Sequence, residues 1–272
     1  MAFDINNFAI DRIIRGVMVN KAGEYMWSIN QITNPALNVT TENSQVVDAL
    51  GGVIAEFDRA RNAELSAENS LFDLGLYAAQ MGKEKNIASV TNKIVVPAFE
   101  TIDIVLDPED TTGATVLQTY ELKHTPKEDV EEIYKLKGDG TLMQAYKVAS
   151  AASATEFVYD KDAHKITIPS GMAAGDQIFV MYEYDADEAV EVVADAINFP
   201  KKGKFIMEVL GTDVCDQETL IHAFVVFGNA KLDSNVDYTF SSDGTHPFVI
   251  RAQQAYCDKE KKLFRIVIPA ED

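Results

Sequence analysis

Alternation of apolar and polar residues is the dominant pattern along this chain, and it predicts a protein built mainly from β-strands. Residues Gly16–Asn30 alternate on both sides of Lys21-Ala22-Gly23, which predicts a hairpin with its turn at these three residues. Residues 51–69 alternate over an unusual length. The alternation slips near Arg59–Asn62, which predicts a bulge or a tight reversal there.

Two further stretches also favour strands. Asn92–Asp107 is a long apolar run, and Pro97 within it favours an edge strand or a bulge because proline has no N–H to donate to a neighbouring strand. Asp185–Ile197 shows a weak helical periodicity, but its valines favour a strand.

Helical periodicity is confined to one short segment. Ser70 followed by Asp73 resembles a capping box. Gly82 is well placed to end a helix. Between these signals, one helical stripe of apolar residues is formed by Leu71, Leu74, Ala78 and Met81. The pattern therefore predicts a single helix that begins after Ser70.

The middle of the chain, about Glu121–Glu183, has short strands separated by regular turn signals. Gly138-Asp139-Gly140 and residues 160–164 ("DKDAH") predict two hairpins. Short strands at this spacing are typical of a small β-sandwich or barrel. We therefore expect three parts, namely the first part of a β domain (1–120), an inserted β module (121–184) and the second part of that domain (185–272).

Composition and charge restrict the class of protein. The chain has 272 residues, 47% of them hydrophobic and 25% charged, which is typical of a globular protein with a sizeable core. Its 43 acidic and 24 basic residues give a net charge of −19. That charge repels phosphates and disfavours a protein that grips nucleic acid, but it does not argue against one that lets DNA pass without binding it.

Candidate chemistry is sparse. Cys215 and Cys257 lack metal-ligand spacing and predict free thiols in a reducing compartment. His222 lies among apolar residues, which predicts a strand residue near a core or an interface. No phosphate-binding glycine loop, nucleophile motif or calcium loop is present in the sequence. We therefore expect no enzymatic activity, no cofactor and no metal site.

Charges of opposite sign are separated along the sequence. Residues 166–200 contain seven acidic residues and no Lys or Arg, whereas basic residues follow at Lys201, Lys202 and Lys204 and in 257–262. One interpretation is a solvated acidic face. The other is that acidic and basic surfaces meet when identical subunits assemble.

The long strand of residues 51–69 also has two interpretations. Its apolar positions alternate with carboxylates, which predicts one apolar face and one acidic face. The acidic face either meets bulk water or lines a negatively charged channel. The candidate channel-facing residues are Glu56, Asp58, Glu64 and Glu68.

Two stretches resemble the tail tube (major tail) proteins of tailed bacteriophages. The first is 48–82, from "DALGGVIAEF" to "LGLYAAQMG". The second is 199–269, in which a long strand, a "V.F.NAKLD" segment, a polar "SSDG" turn and two closing strands follow in order. Together they cover a little under half of the chain.

The resemblance implies a β-sandwich or rolled β-barrel of the tail tube type with one short flanking helix. It also implies six-membered rings that stack into a tube with an acidic channel, through which DNA passes without specific binding. The implied partners are further copies of the chain and other tail proteins such as sheath or tape-measure proteins, without a membrane. Such a protein assembles in the host cytoplasm and resides in the tail of the virion. The module 121–184 is an addition to a minimal tube protein.

Two other functions stay open at this level. A head decoration or capsid-associated β protein would show the same lack of catalytic motifs. Alternatively, the middle module binds a carbohydrate or a host surface through aromatic rings that stack on sugars. The aromatic residues of that module are Tyr134, Tyr146, Tyr159, Phe179, Tyr182 and Tyr184.

Overall fold

The computed structural model describes residues 5–109, 115–254 and 261–270. It is 55% strand and 3% helix, and the described residues form one helix. The prediction of a mainly β fold with a single short helix is therefore confirmed.

The elements follow one another in three groups. The first group is β1 (Phe8–Val19), β2 (Tyr25–Ile29), β3 (Ile32–Val47), β4 (Val53–Asn69) and α1 (Leu74–Gln80). The second is β5 (Asn86–Ile87), β6 (Ile94–Asp103), β7 (Thr119–Glu121), β8 (Glu132–Leu136), β9 (Leu142–Val148), β10 (Glu156–Asp160), β11 (Lys165–Thr167), β12 (Gln177–Ala186) and β13 (Val190–Glu191). The third is β14 (Lys202–Asp213), β15 (Asp216–Leu232), β16 (His246–Ala252) and β17 (Arg265–Val267).

These elements form two compact units, each with its own apolar core. Asn86–Glu191 is one unit, here called the inserted unit, and the chain before and after it forms the other, here called the main unit. The largest fully buried side chains of the main unit include Phe205, Phe227, Phe248, Leu65 and Ile250. Those of the inserted unit include Phe157, Ile133, Ile166 and Ile178. The module bounds 121 and 184 lie within the inserted unit and stay a prediction.

The sheet of the main unit is rolled. Its strand order is β2-β1-β14-β15-β16-β4-β3, with β17 beside β15. A flat path of seven strands is about 29 Å wide. The two end strands are nevertheless joined by only Asn30 and Gln31, a link that spans at most about 11 Å. The sheet must therefore curl until its ends approach, as a rolled barrel requires.

The hairpin and bulge predictions in the main unit are confirmed. Strands β1 and β2 pair antiparallel across a turn in which Gly23 has a φ of 86°. Strand β4 runs without a break from Val53 to Asn69. Its pairing with β3 shifts where Ala60 and Asp58 oppose consecutive residues of β3, so the extra residue is Arg59. The slip in the sequence pattern is thus a bulge and not a reversal.

The inserted unit follows the order β6-β12-β8-β9-β10-β11-β7, with a separate pair β13-β5. The predicted hairpins at Gly138–Gly140 and 160–164 are present as the β8–β9 and β10–β11 pairs. Pro97 lies in β6, which is an edge strand as predicted. In Asp185–Ile197, strand covers the first two residues and Val190–Glu191, and none of the thirteen residues is helical.

The predicted helix start was wrong. The N-cap is Asp73, whose side chain accepts a hydrogen bond of 2.8 Å from the N–H of Leu76. Ser70 instead bonds to the short link between β2 and β3. Its backbone N–H and its hydroxyl both donate hydrogen bonds to the carbonyl oxygen of Gln31. Gly82 ends the helix as predicted, with a φ of 69°. A Cβ there would lie 2.4 Å from the carbonyl oxygen of Phe199, so glycine is required by space as well as by conformation.

Candidate functional site

Strand β4 places two of the four predicted channel carboxylates on the same face of the sheet. Glu64 and Glu68, here called the sheet pair, lie half-buried on one face of β4. The opposite face is buried in the core through Ala63, Leu65 and Ala67. Residues four apart on one strand are about 13 Å apart, so the sheet pair forms two separate negative charges along the outer face of the sheet.

The other two carboxylates lie on the opposite face of the strand. Glu56 and Asp58 are here called the arm pair. Ala60 opposes Glu42 and Asp58 opposes Asn43, and these two consecutive residues of β3 point to opposite faces. The bulge at Arg59 therefore turns the arm pair away from the face that carries the sheet pair. Their exposure to a channel stays a prediction.

The distal part of β3 and β4 is a protruding two-stranded ribbon. Residues 40–62, here called the arm, pair only with one another, and all are exposed except half-buried Ser44 and Ala55. The exposed apolar side chains of the arm are Val46, Val47, Leu50, Val53, Ile54 and Phe57. A two-stranded ribbon is at best marginally stable alone in water, and contiguous exposed apolar side chains mark interaction sites. The arm is therefore a candidate contact surface for another molecule.

The outer face beside the sheet pair is not uniformly acidic. Lys202 opposes Lys231, Lys231 opposes Arg251, and Arg251 opposes Glu64, so these four form one row across strands β14, β15, β16 and β4. A guanidinium nitrogen of Arg251 lies 2.6 Å from a carboxylate oxygen of Asp233. The row therefore changes from basic to acidic at the boundary between β16 and β4.

A buried histidine ties helix α1 to strand β16. His246 has no exposed surface, and its Nε2 lies 2.8 Å from Oε1 of Gln80. Its Nδ1 accepts a hydrogen bond of 3.3 Å from the N–H of Asp73. The ring of Phe72 stacks on the imidazole at a centroid distance of 5.2 Å. Sequence reasoning missed this anchor, because neither His246 nor Gln80 belongs to a recognisable motif.

We expect this anchor to make the stability of the main unit depend on pH. Burial lowers the pKa of His246 below its ordinary value, with a smaller opposing effect from Asp73. The unfolded chain therefore takes up the proton first, at about pH 6.5. The contribution of neutral His246 is complete above that pH and is lost as the pH falls through the lower folded-state pKa.

Urea unfolding of wild type and His246→Phe at pH 7.5 and pH 5.5 measures this effect. The variant keeps an aromatic ring beside Phe72 but does not titrate. We expect a lower urea midpoint for the variant at pH 7.5 and a smaller loss of midpoint on acidification. An equal loss in both proteins would contradict the role of His246.

The inserted unit holds a buried carboxylate that sequence reasoning also missed. Glu100 is buried and accepts hydrogen bonds from the hydroxyls of Tyr182 and Tyr120 and from the N–H of Lys123. Burial and the bond to Glu100 raise the pKa of the Tyr182 hydroxyl. Three donors surround one carboxylate, so the arrangement stabilises the fold of this unit and leaves Glu100 no surface for a ligand.

The aromatic residues of the inserted unit are divided between its core and its surface. Tyr146 and Tyr182 are buried and therefore unavailable to a sugar. Phe179 is half-buried and stacks on Phe99 at 5.9 Å, and Tyr184 stacks on His124 at 3.9 Å. Cross-strand and local packing accounts for these rings.

Of the remaining candidate residues, the structure describes His222 and Cys215. His222 lies in β15 as predicted, with its Nδ1 2.9 Å from a carboxylate oxygen of Glu208. Cys215 is an exposed free thiol, and Cys257 lies outside the described residues. Within the described ranges, no group of three His, Cys, Asp or Glu side chains is arranged to hold a metal ion. No helix among those residues is long and apolar enough to cross a membrane.

Comparison with known proteins identifies the family. The model of the YomU/Tube protein family matches residues 17–262, which include the main strands of both units. No curated protein matches the chain. The resemblance to tail tube proteins is thereby confirmed. The chain belongs to the YomU/Tube protein family, a phage tail tube family.

Proposed function

We propose that this protein is the structural subunit of a phage tail tube and that it assembles with copies of itself into stacked rings. The observation that supports this most directly is the arm, whose six large apolar side chains stay exposed among the described residues. A surface that fits a different surface on an identical subunit generates closed rings or open stacks. The protein has no enzymatic role in this proposal and needs no cofactor.

We propose six subunits in each ring, the number that the resemblance to tail tube proteins implies. In such a ring Glu64 and Glu68 face the channel, where repeated carboxylates repel DNA phosphates and keep the genome from binding. The arm pair is proposed for the same channel and is testable separately, because it lies on the other face of the ribbon. The module 121–184 is proposed to point outward from the tube.

The protein is proposed to assemble in the host cytoplasm and to end in the tail of the virion, in contact with other tail proteins such as sheath or tape-measure proteins. A place in the tail also separates this proposal from a head decoration protein. Mass spectrometry of separated heads and tails of the source virus would find the chain in the tails.

Electron microscopy of the concentrated protein tests self-assembly. We expect rings or tubes of uniform diameter, together with a molecular mass above that of a 30.0 kDa monomer in light scattering. The protein should be studied over a range of salt concentrations, since surface charges contribute to the contacts. Monomers alone at high concentration in every condition would contradict the proposal.

A further inference from the structure

A hollow lies beside strands β14 and β15, close to the point where their pairing changes register. Gly203 opposes Ala230 but Phe205 opposes Phe227, so β15 carries an extra residue opposite Lys204. This bulge leaves a hollow of about 200 Å³. The hollow is lined by Lys204, Val226, Gly228, Asn229, Lys262, Phe264 and Arg265.

Basic side chains surround this hollow in a strongly acidic protein. We call the basic patch the set Lys202, Lys204, Lys231, Lys262 and Arg265. Within the described part of the chain, no carboxylate lies within 4.0 Å of the side-chain nitrogens of Lys202, Lys204, Lys231 or Arg265. Lys202 and Lys231 lie directly opposite each other, and like charges in that position destabilise a sheet. An acidic partner would remove this repulsion.

A matching surface is present on the same chain. The inserted unit has 20 acidic and 8 basic residues, and its net charge of −12 is most of the −19 of the whole protein. Within it, Glu183–Glu191, here called the acidic segment, has five carboxylates in nine residues. Only Asp185 among the five has a lysine within 4.0 Å in the described structure, namely Lys127 at 3.7 Å. Glu183, Asp187 and Glu188 are exposed.

We propose that the basic patch of one subunit binds the acidic segment of a second copy. This contact rests on the proposed self-assembly and names two of the surfaces that would meet. Every subunit carries one basic patch and one acidic segment. An assembly therefore contains equal numbers of the two surfaces, and each patch can bind one segment. Because the two surfaces differ, the contact is head-to-tail, as a ring or a stack requires.

Apolar side chains make the hollow a better site for a carboxylate than an open surface would be. Val226 and Phe264 contribute its apolar lining beside Lys204 and Arg265. Excluding water from a charge pair strengthens its attraction relative to an exposed pair. Complementary charge also selects the correct orientation between subunits and speeds their encounter.

Charge reversal on each surface tests the contact. Lys204→Glu with Arg265→Glu reverses the patch, and Asp187→Lys with Glu188→Lys reverses the segment. We expect each variant alone to assemble only at a concentration about tenfold higher than wild type or not at all, because like charges then meet. Mixing the two variants in equal amounts is expected to restore assembly, since each reversed surface then meets its complement. One chain with all four substitutions is expected to assemble on its own.

The matched control is Lys21→Glu with Lys93→Glu, which changes the net charge as much as the patch variant does. Both lysines are exposed and have no carboxylate within 4.0 Å among the described residues. Light scattering against concentration and electron microscopy measure assembly for every protein. We expect the control to assemble like wild type, and a control as impaired as the patch variant would overturn the local contact.

Three further outcomes would overturn the proposal, and each identifies a different error: in the contact, in self-assembly or in the ligand of the patch. If wild type assembles and both reversed variants assemble equally well, self-assembly stands and this contact is wrong. If wild type stays monomeric in all conditions, the proposed function fails together with the contact. If the patch variant assembles normally but loses binding to a fluorescent DNA duplex seen with wild type, the patch binds nucleic acid instead.

Discussion

Removal of the arm is expected to abolish ring formation and leave a folded subunit. Thr40 and Asn62 oppose each other directly, so an Asn-Gly turn in place of residues 41–61 can close the shortened hairpin. The deleted residues contribute no buried side chain to either core. We therefore expect the urea midpoint to stay close to that of wild type, whereas rings and tubes disappear in electron microscopy.

A point variant separates apolar contact from arm length. Leu50→Asp with Ile54→Asp places charge at two apolar side chains that are 96% and 67% exposed. The matched control, Thr41→Asp with Gln45→Asp, adds the same charge at exposed polar positions of the arm. We expect the first pair to prevent assembly and the control to weaken it far less, because only the first removes apolar burial. Normal rings from the arm-deleted protein would contradict an assembly role for the arm.

Reversal of the sheet pair is expected to block genome passage without preventing tube formation. Glu64→Lys with Glu68→Lys adds two cations per subunit to a face that would repeat around every ring. Each cation that contacts a phosphate strengthens DNA binding, so the genome would be retained. We expect a loss of infectivity of about tenfold or more, measured as plaque titre, with tails of normal appearance. Unchanged infectivity would contradict the channel assignment of the sheet pair.

The arm pair provides an internal comparison for this experiment. Glu56→Lys with Asp58→Lys makes the same change of charge on the same strand but on the opposite face. If the arm pair also faces the channel, as the sequence pattern predicts, this variant retains DNA as strongly as the first. Glu64→Gln with Glu68→Gln is the control variant, because it keeps the size of the side chains and removes the negative charge without adding a positive one. It separates the loss of carboxylates from the gain of cations.

The long strands, their hairpins and the edge position of β6 were predictable from local sequence. Each depends on side chains within a few residues, such as the turn around Gly23 or the missing N–H of Pro97. Even the bulge at Arg59 was visible, because an extra residue breaks the two-residue period of a strand. The effect of this bulge on Glu56 and Asp58 was not predictable, because the face to which a side chain points also depends on the pairing of its strand with the neighbouring strand.

The start of helix α1 shows where local pattern was insufficient. Ser70 and Asp73 are both suitable caps, and the choice between them was decided by the bonds of Ser70 to Gln31, 39 residues away in sequence. The same holds for His246 and Gln80, which lie 166 residues apart and meet in a buried hydrogen bond. No local signal marks either residue for that role.

A mainly β fold with one short helix and a large negative charge could be read from the amino-acid sequence alone. Those properties follow from residue period, turn chemistry and composition, which act over short distances along the chain. The positions of the four candidate carboxylates on two faces, and of Lys204, Lys262 and Arg265 around one hollow, depend on how the strands pair in three dimensions. The pairing of distant strands determines which side chains become neighbours. That pairing is stabilised by burial of apolar side chains from strands that are far apart in sequence, so no single segment specifies it.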